Sequence, residues 1–90
     1  MIPQETVNKI LDTAQIADVV GDYVTLRRRG ANFVAFCPFH NEKTPSFHVS
    51  PAKGIFKCFG CGKSGSAISF VMDYEHCSYA DALKYIAKKY

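Results

Sequence analysis

Apolar residues recur at helical spacing near the start of the chain. Ile2, Val7, Ile10, Leu11 and Ala14 fall on one face, and Pro3 suits a first helical turn. Ile16, Val19 and Val20 form a second short apolar stretch closed by Gly21, and all eight are expected in the core. From Tyr23 the period drops to two: Tyr23, Thr25 and Arg27 would face one way and Val24, Leu26 and Arg28 the other. A turn at Arg29-Gly30-Ala31-Asn32 and a return strand from Phe33 to Phe36 predict a hairpin. Ser46 to Val49 and Gly54 to Lys57 predict a second, with Pro51 and Gly54 punctuating its turn. The helical period then returns. Ala67, Ile68, Val71 and Tyr74 predict one helix, capped by Ser64 or Ser66. Tyr79, Ala82, Leu83, Ile86 and Tyr90 predict the last, with Ser78 as N-cap and Asp81 in the capping-box position. The expected fold is α+β: a small antiparallel β-sheet flanked by N-terminal and C-terminal helices.

Two short turns add chemistry to this plan. Cys37-Pro38-Phe39-His40 and Cys58-Phe59-Gly60-Cys61 are both C-x-x-[CH] pairs. Two residues between ligands let one tight turn aim both side chains at a single ion, and two such turns complete a tetrahedron. Asn41 follows the first pair and Gly62 the second, and both residue types tolerate the positive φ that such turns tend to need. The intervening chain is long enough for one hairpin to bring the turns together. Three thiolates and an imidazole suit one zinc ion, making the sheet a zinc ribbon, and four protein ligands leave no open position for catalysis. Cys77 and His76, near the last helix, are expected outside the ligand set. His48 alternates with Phe47 and Val49, so it faces away from the core, as a solvated strand residue or a phosphate contact. His40-Asn41-Glu42 followed by C-x-x-C also echoes zinc deaminases, in which a Glu shuttles protons. Cys37 in the fourth position, Lys57 in place of proline before Cys58 and the short chain argue against that chemistry.

Ninety residues with 48% hydrophobic and 21% charged composition describe one globular domain, with a core thin enough to need a staple. No apolar run approaches a membrane span, and Ile2-Pro3-Gln4-Glu5 does not open a secretion signal. A cytoplasmic chain keeps its thiols reduced, which favours metal over disulfides. The net charge of +3 is unevenly laid out. Residues 23–63 carry Arg27, Arg28, Arg29, Lys43, Lys53, Lys57 and Lys63 against Glu42 alone, a net +6. Residues 1–22 carry −3, and residues 64–90 balance. A zinc with three thiolates adds only −1. Basic residues interleaved with Phe33, Phe36, Phe47, Phe56 and Phe59 suit single-stranded nucleic acid: cations track phosphates and exposed rings stack on bases. Most of these rings are expected in the core. Alternation puts Phe33 and Phe36 on opposite faces, and Phe59 in the zinc turn is the ring expected to be most exposed.

The run Cys37-Pro38-Phe39-His40-Asn41-Glu42-Lys43-Thr44-Pro45-Ser46-Phe47, with Cys58-Phe59-Gly60-Cys61-Gly62, resembles the zinc-binding domain of bacterial DNA primases, a CHC2-type zinc finger. Ile2-Pro3, Val19-Val20-Gly21-Asp22-Tyr23-Val24 and the closing helices extend the likeness along essentially the whole chain. Lys63-Ser64-Gly65-Ser66 departs from a more Gly-rich stretch, and His76-Cys77 falls where the family varies. The resemblance implies Cys37, His40, Cys58 and Cys61 as ligands and a part in recognising a single-stranded DNA template during RNA primer synthesis. It implies that residues 1–90 are the N-terminal domain of a nucleotidyltransferase of the bacterial replisome. A magnesium-dependent catalytic domain and a domain contacting the replicative helicase would lie elsewhere. The last helical pattern, running to Ala87-Lys88-Lys89-Tyr90, also hints at a piece of something longer. On this reading Arg27, Arg28, Arg29, Lys43, His48, Lys53, Lys57, Phe59 and Lys63 meet the template. The alternative is a protein-interaction module docking on the catalytic domain.

Overall fold

The computed structural model describes residues 3–39 and 44–89. Two helices, α1 (Gln4–Thr13) and α2 (Ile16–Gly21), precede five strands: β1 (Arg27–Arg29), β2 (Asn32–Ala35), β3 (Phe47–Ser50), β4 (Ile55–Cys58) and β5 (Ser64–Gly65). Helices α3 (Ala67–Glu75) and α4 (Tyr79–Lys89) close the chain. The strands form one antiparallel sheet in sequence order, a meander in which each neighbour is the next strand in the chain.

Both predicted hairpins are present, β1–β2 and β3–β4. Arg29 pairs with Asn32 across Gly30-Ala31, and Ser50 pairs with Ile55 across the turn at residues 51–54. The predicted strand from Tyr23 to Leu26 is not there. The Tyr23 and Val24 N–H groups both donate to the Val20 carbonyl, so the chain is still turning out of α2. The Tyr23 ring belongs to the helical layer, within 5.8 Å of Phe70, 4.5 Å of Tyr74 and 5.7 Å of Tyr85, centroid to centroid. Alternation of side chains over four residues was outweighed by this aromatic packing. The second apolar stretch, read without an element type, is the helix α2.

β5 was not expected. It exists because Cys58 N–H donates to Lys63 O and Lys57 pairs with Ser64, which closes a hairpin around the second cysteine pair. Gly65 then passes directly beneath α3, where a Cβ would collide with Ser69 Oγ. That hydroxyl accepts from the Ser66 N–H at 2.8 Å, fixing Ser66 as the start of α3, as one of the two predicted caps. Asp81 N–H donates to Ser78 Oγ at 3.2 Å, capping α4 as expected.

Cross-strand partners share a face. One row reads Arg28, Phe33, Val49, Phe56 and Gly65, and the next Ala35, Phe47 and Cys58. Phe33, Val49, Phe56, Phe47 and Cys58 meet Val19, Val20, Phe70, Val71, Leu83 and Ile86 from the helices in a single core. Val7 and Ile16 join it, with Ile10 and Ala14 packed at its margin; Ile2 and the Leu11 side chain lie outside what is described. The opposite face carries Arg27, Val34, His48, Lys57 and Ser64 in one row; Val34 is buried there, Arg27, Lys57 and Ser64 are exposed, and the buried residues of the described helices belong to the core on the other face. α4 is tied back to the end of α2: Tyr85 Oη donates to Asp22 at 2.7 Å and Lys89 Nζ lies 3.0 Å from the same carboxylate. The hydrogen bond from Tyr85, then that from Lys89, holds the Asp22 carboxyl below its ordinary range.

Candidate metal centre and the basic face

Cys37 lies two residues beyond the end of β2, and Cys58 is the last residue of β4. Register brings the two strand ends together through β3, since Ala35 pairs with Phe47 and Phe47 with Cys58. Cys61 returns on the β4–β5 loop. That loop is tightened by Gly62 N–H donating to Cys58 O at 2.8 Å. Gly62 has φ 82°, the left-handed conformation expected where the turn bends around an ion. The β3–β4 hairpin thus does what the spacing required: it closes the distance between the two cysteine turns.

The sulfur atoms of Cys37, Cys58 and Cys61 all lie within 4.8 Å of one another, and Cys37 Sγ is 3.9 Å from Cys61 Sγ. A tetrahedral zinc with Zn–S bonds of about 2.3 Å has ligand–ligand edges of about 3.8 Å. The three thiols therefore stand at coordination spacing, with Cys37 and Cys58 buried and Cys61 exposed. Burial foremost pushes the Cys37 thiol up to about 12; its Cys58 and Cys61 neighbours add to the rise, and the Phe39 N–H, 3.4 Å from its sulfur, opposes it. Three thiols at this spacing form a donor set that fits a soft divalent ion. His40, the fourth expected ligand, lies outside the described residues, as do Asn41, Glu42 and Lys43.

Cys77 is not in the cluster. It sits between α3 and α4, half-buried against the core, its Sγ 3.9 Å from the Val71 carbonyl oxygen. His76 ends α3 with φ 54°. Cys77→Ser is expected to keep one zinc per chain, measured by atomic emission; a drop in that ratio would show a thiol ligand outside the cluster.

The basic residues divide between the faces. Arg27, Lys57 and His48 share the row on the open face, and Arg29 lies beside them, paired with Asn32. Phe59 joins this group: its ring meets His48 edge-on at 4.9 Å, with Lys57 Nζ 5.5 Å from its centroid. Lys53 rises from the β3–β4 turn at the other end. Arg28 lies in the row of the core face, at its edge, with Nε donating to Gly30 O at 3.2 Å. Lys63 turns toward the helices, 3.4 Å from Asp73 and 4.8 Å from the Phe39 ring centroid. Phe59, at 67% exposed, is the most open large apolar residue described, and Phe36 is also exposed, while Phe47 and Phe56 are buried. Ile55 and Asn32, which line the same open face, were missed. The period-two run Ile55, Lys57, Phe59 was the signal that could have found the first.

The family model described as CHC2 zinc finger matches residues 2–90. The chain is 52% identical over 88 residues to the DNA primase of Geobacillus stearothermophilus, covering 98% of this chain and 15% of that protein. It is 46% identical over 86 residues to the DNA primase of Listeria monocytogenes, covering 96% of this chain and 14% of that one. The chain thus spans about a seventh of the length of these curated relatives. Its fold is similar to the crystal structure of the Aquifex aeolicus primase zinc binding and RNA polymerase domains, with TM-score 0.90 and 47% identity over 94% of this chain and 21% of that one. No described helix is long and apolar enough to cross a membrane.

Proposed function

The chain belongs to the CHC2 zinc-finger family, as a DNA primase zinc-binding domain, and from that premise we propose that it grips single-stranded DNA template on the open face of its sheet. The observation that carries this reading is the row of Arg27, His48 and Lys57 with Phe59 beside it, on a face that the helices leave bare. Cations there would neutralise phosphates, and an exposed ring would take a base. Lys43 belongs to the same proposal from its place in the sequence. Cys37, Cys58 and Cys61, with His40, would hold one zinc ion, which when bound supplies a cross-link between the β2 and β4 ends. The chain's own residues position the template. The joining of ribonucleotides is assigned to a catalytic domain holding magnesium through acidic residues, and contact with the replicative helicase to a further domain, in the bacterial cytoplasm.

Docking on the catalytic domain is a second reading, and the helical side favours it. A hollow of about 340 Å³ there is lined by Tyr23, Val71, Glu75, Cys77, Asp81 and Tyr85, with Tyr74 and Tyr79 exposed on the same helices. The two roles use different parts of the surface and are compatible.

Charge reversal tests the template reading. Arg27→Glu with Lys57→Glu is expected to weaken binding of a fluorescein-labelled oligothymidylate by more than about tenfold, with zinc content unchanged. The slope of log affinity against log salt should fall by about 1 for each phosphate that is no longer neutralised. Unchanged affinity and slope in fluorescence anisotropy would remove the open face as the template surface.

A further inference from the structure

Lys63 stands apart from the other basic residues of the middle segment. Its ammonium lies 3.4 Å from the Asp73 carboxylate on α3 and 4.8 Å from the Phe39 ring centroid. Its carbonyl oxygen accepts the Cys58 N–H at 2.8 Å. Lys63 follows Cys61 and Gly62 in the second cysteine turn, and Phe39 sits between Cys37 and His40 in the first. One residue therefore touches both turns and the helix packed against them.

The same side of α3 serves both turns. Phe70 and Asp73 are three residues apart on that helix, so their side chains project side by side. Phe70 receives the Phe39 ring at 5.5 Å, edge to face, and Asp73 receives the Lys63 ammonium. The Lys63 ammonium over the Phe39 ring closes a triangle: first turn to α3, α3 to second turn, second turn to first. No sulfur takes part in it, yet it fixes the separation of two turns whose sulfurs stand within 4.8 Å of one another. An ion held by Cys37 on one turn and by Cys58 and Cys61 on the other escapes when the turns part for long enough to prevent rebinding. Cys61 is the exposed thiol, so a competing chelator arrives on the side of the second turn, where Lys63 restrains the loop. We infer that Lys63 is a positioning residue of the metal centre: it braces the two cysteine turns against each other and against α3, and so slows the loss of the ion they hold. The inference rests on the reading of Cys37, Cys58 and Cys61, with His40, as the ligands of one zinc. It assigns the Lys63 charge to the metal site instead of to the template.

The test reads metal release and template binding separately. The zinc-loaded 90-residue chain is mixed with an excess of a chromogenic chelator, and the release rate is followed for wild type, Lys63→Met, Lys63→Arg, Asp73→Asn and Lys89→Met. Methionine keeps an unbranched stem and removes the charge. The Lys63 and Asp73 side chains are nearly half exposed, so one ion pair and one cation–π contact at a solvated site set the scale. Release from Lys63→Met is expected to be about 3- to 10-fold faster than from wild type. Lys63→Arg, whose guanidinium can pair with the carboxylate and lie on the ring, should stay within about twofold of wild type. Asp73→Asn should accelerate release by a smaller factor and add little in the Lys63→Met background, since both remove the same ion pair. Lys89→Met breaks a comparable ion pair, to Asp22, between the ends of α4 and α2. It should leave the release rate unchanged, which separates the brace from a general loss of stability. In anisotropy with oligothymidylate, Lys63→Met should keep the wild-type salt slope; a slope lower by about 1 would place the charge on a phosphate and overturn its assignment to the metal site. Equal acceleration in Lys63→Met and Lys89→Met would overturn the brace, as would a Lys63→Arg variant as fast as Lys63→Met. Release at the wild-type rate from Lys63→Met, in a chain that carries one zinc, would overturn the brace and leave the metal centre standing. A wild-type chain that takes up no zinc would overturn both.

Discussion

Stripping the metal with a high-affinity chelator is expected to abolish the cooperative thermal transition of this domain. The argument is one of magnitudes. A small domain is stable by about 5–15 kcal/mol in total. Structural zinc in comparable peptides contributes an apparent ~10–16 kcal/mol at neutral pH, nearly all of it expressed as folding free energy. The three thiols hold the ends of β2 and β4 and the β4–β5 loop, so without the cross-link the sheet loses the constraint at one whole end. Cys58 is fully buried beside Phe47, and the loss therefore reaches the core instead of stopping at the surface. Near-UV circular dichroism should collapse while part of the helical far-UV signal from α3 and α4 persists, because those helices bury their own Val71, Leu83 and Ile86. Cys58→Ser should reproduce the effect without chelator. A metal-free chain that melts cooperatively at the same temperature as the zinc-loaded one would refute a structural role for the site.

Much of that centre is legible in the sequence, because the constraint is local. A C-x-x-C turn places its two sulfurs by its own backbone geometry, and a glycine after it signals the left-handed residue that the bend needs, found here at Gly62. The hairpin between the two turns was equally readable from alternation in Phe47–Val49 and from Pro51 and Gly54. The features that escaped depend on contacts between distant segments. Tyr23 alternates like a strand residue, but its position is decided by Tyr74 and Tyr85, 51 and 62 residues further on. β5 is two residues long, too short for any period to register, and exists because the cysteine loop returns the chain alongside β4.

The charge pattern shows the same division. Counting residues located an excess of +6 in the middle segment, and alternation could assign Arg27 and Arg28 to opposite faces. Which face the helices would cover was not a property of the strands. It is settled by the apolar row of Phe33, Val49 and Phe56 and by Phe47 in the row beside it, against which α3 lays Phe70. The unlike fates of Lys57 and Lys63 follow from this. Both precede or follow the second cysteine pair closely, yet Lys57 stays on the bare face and Lys63 folds back to Asp73 on α3.

Phe70→Ala is expected to cause the largest loss of stability among single core substitutions on the helical side. Phe70 is fully buried, and its ring lies 5.5–5.9 Å, centroid to centroid, from Phe39, Phe47, Phe56, Tyr23 and Tyr74. Truncating such a residue removes its transfer free energy and leaves a cavity that rigid aromatic neighbours fill poorly, a cost of about 3–5 kcal/mol. In a domain of this length each 1 kcal/mol shifts the melting temperature by roughly 4–8 °C, so a fall of about 12 °C or more should be seen in the zinc-loaded protein. Phe36→Ala, at an exposed position, serves as the control and should stay within about 0.5 kcal/mol of wild type. The ring also abuts Phe39 inside the first cysteine turn at 67°, edge to face. Loosening that turn should weaken zinc retention in a competition with a chromogenic chelator, even at temperatures where Phe70→Ala remains folded. If instead the melting temperature falls while zinc competition is unchanged, the first turn is held by its own backbone and ligands, and the aromatic core supports the sheet without supporting the metal.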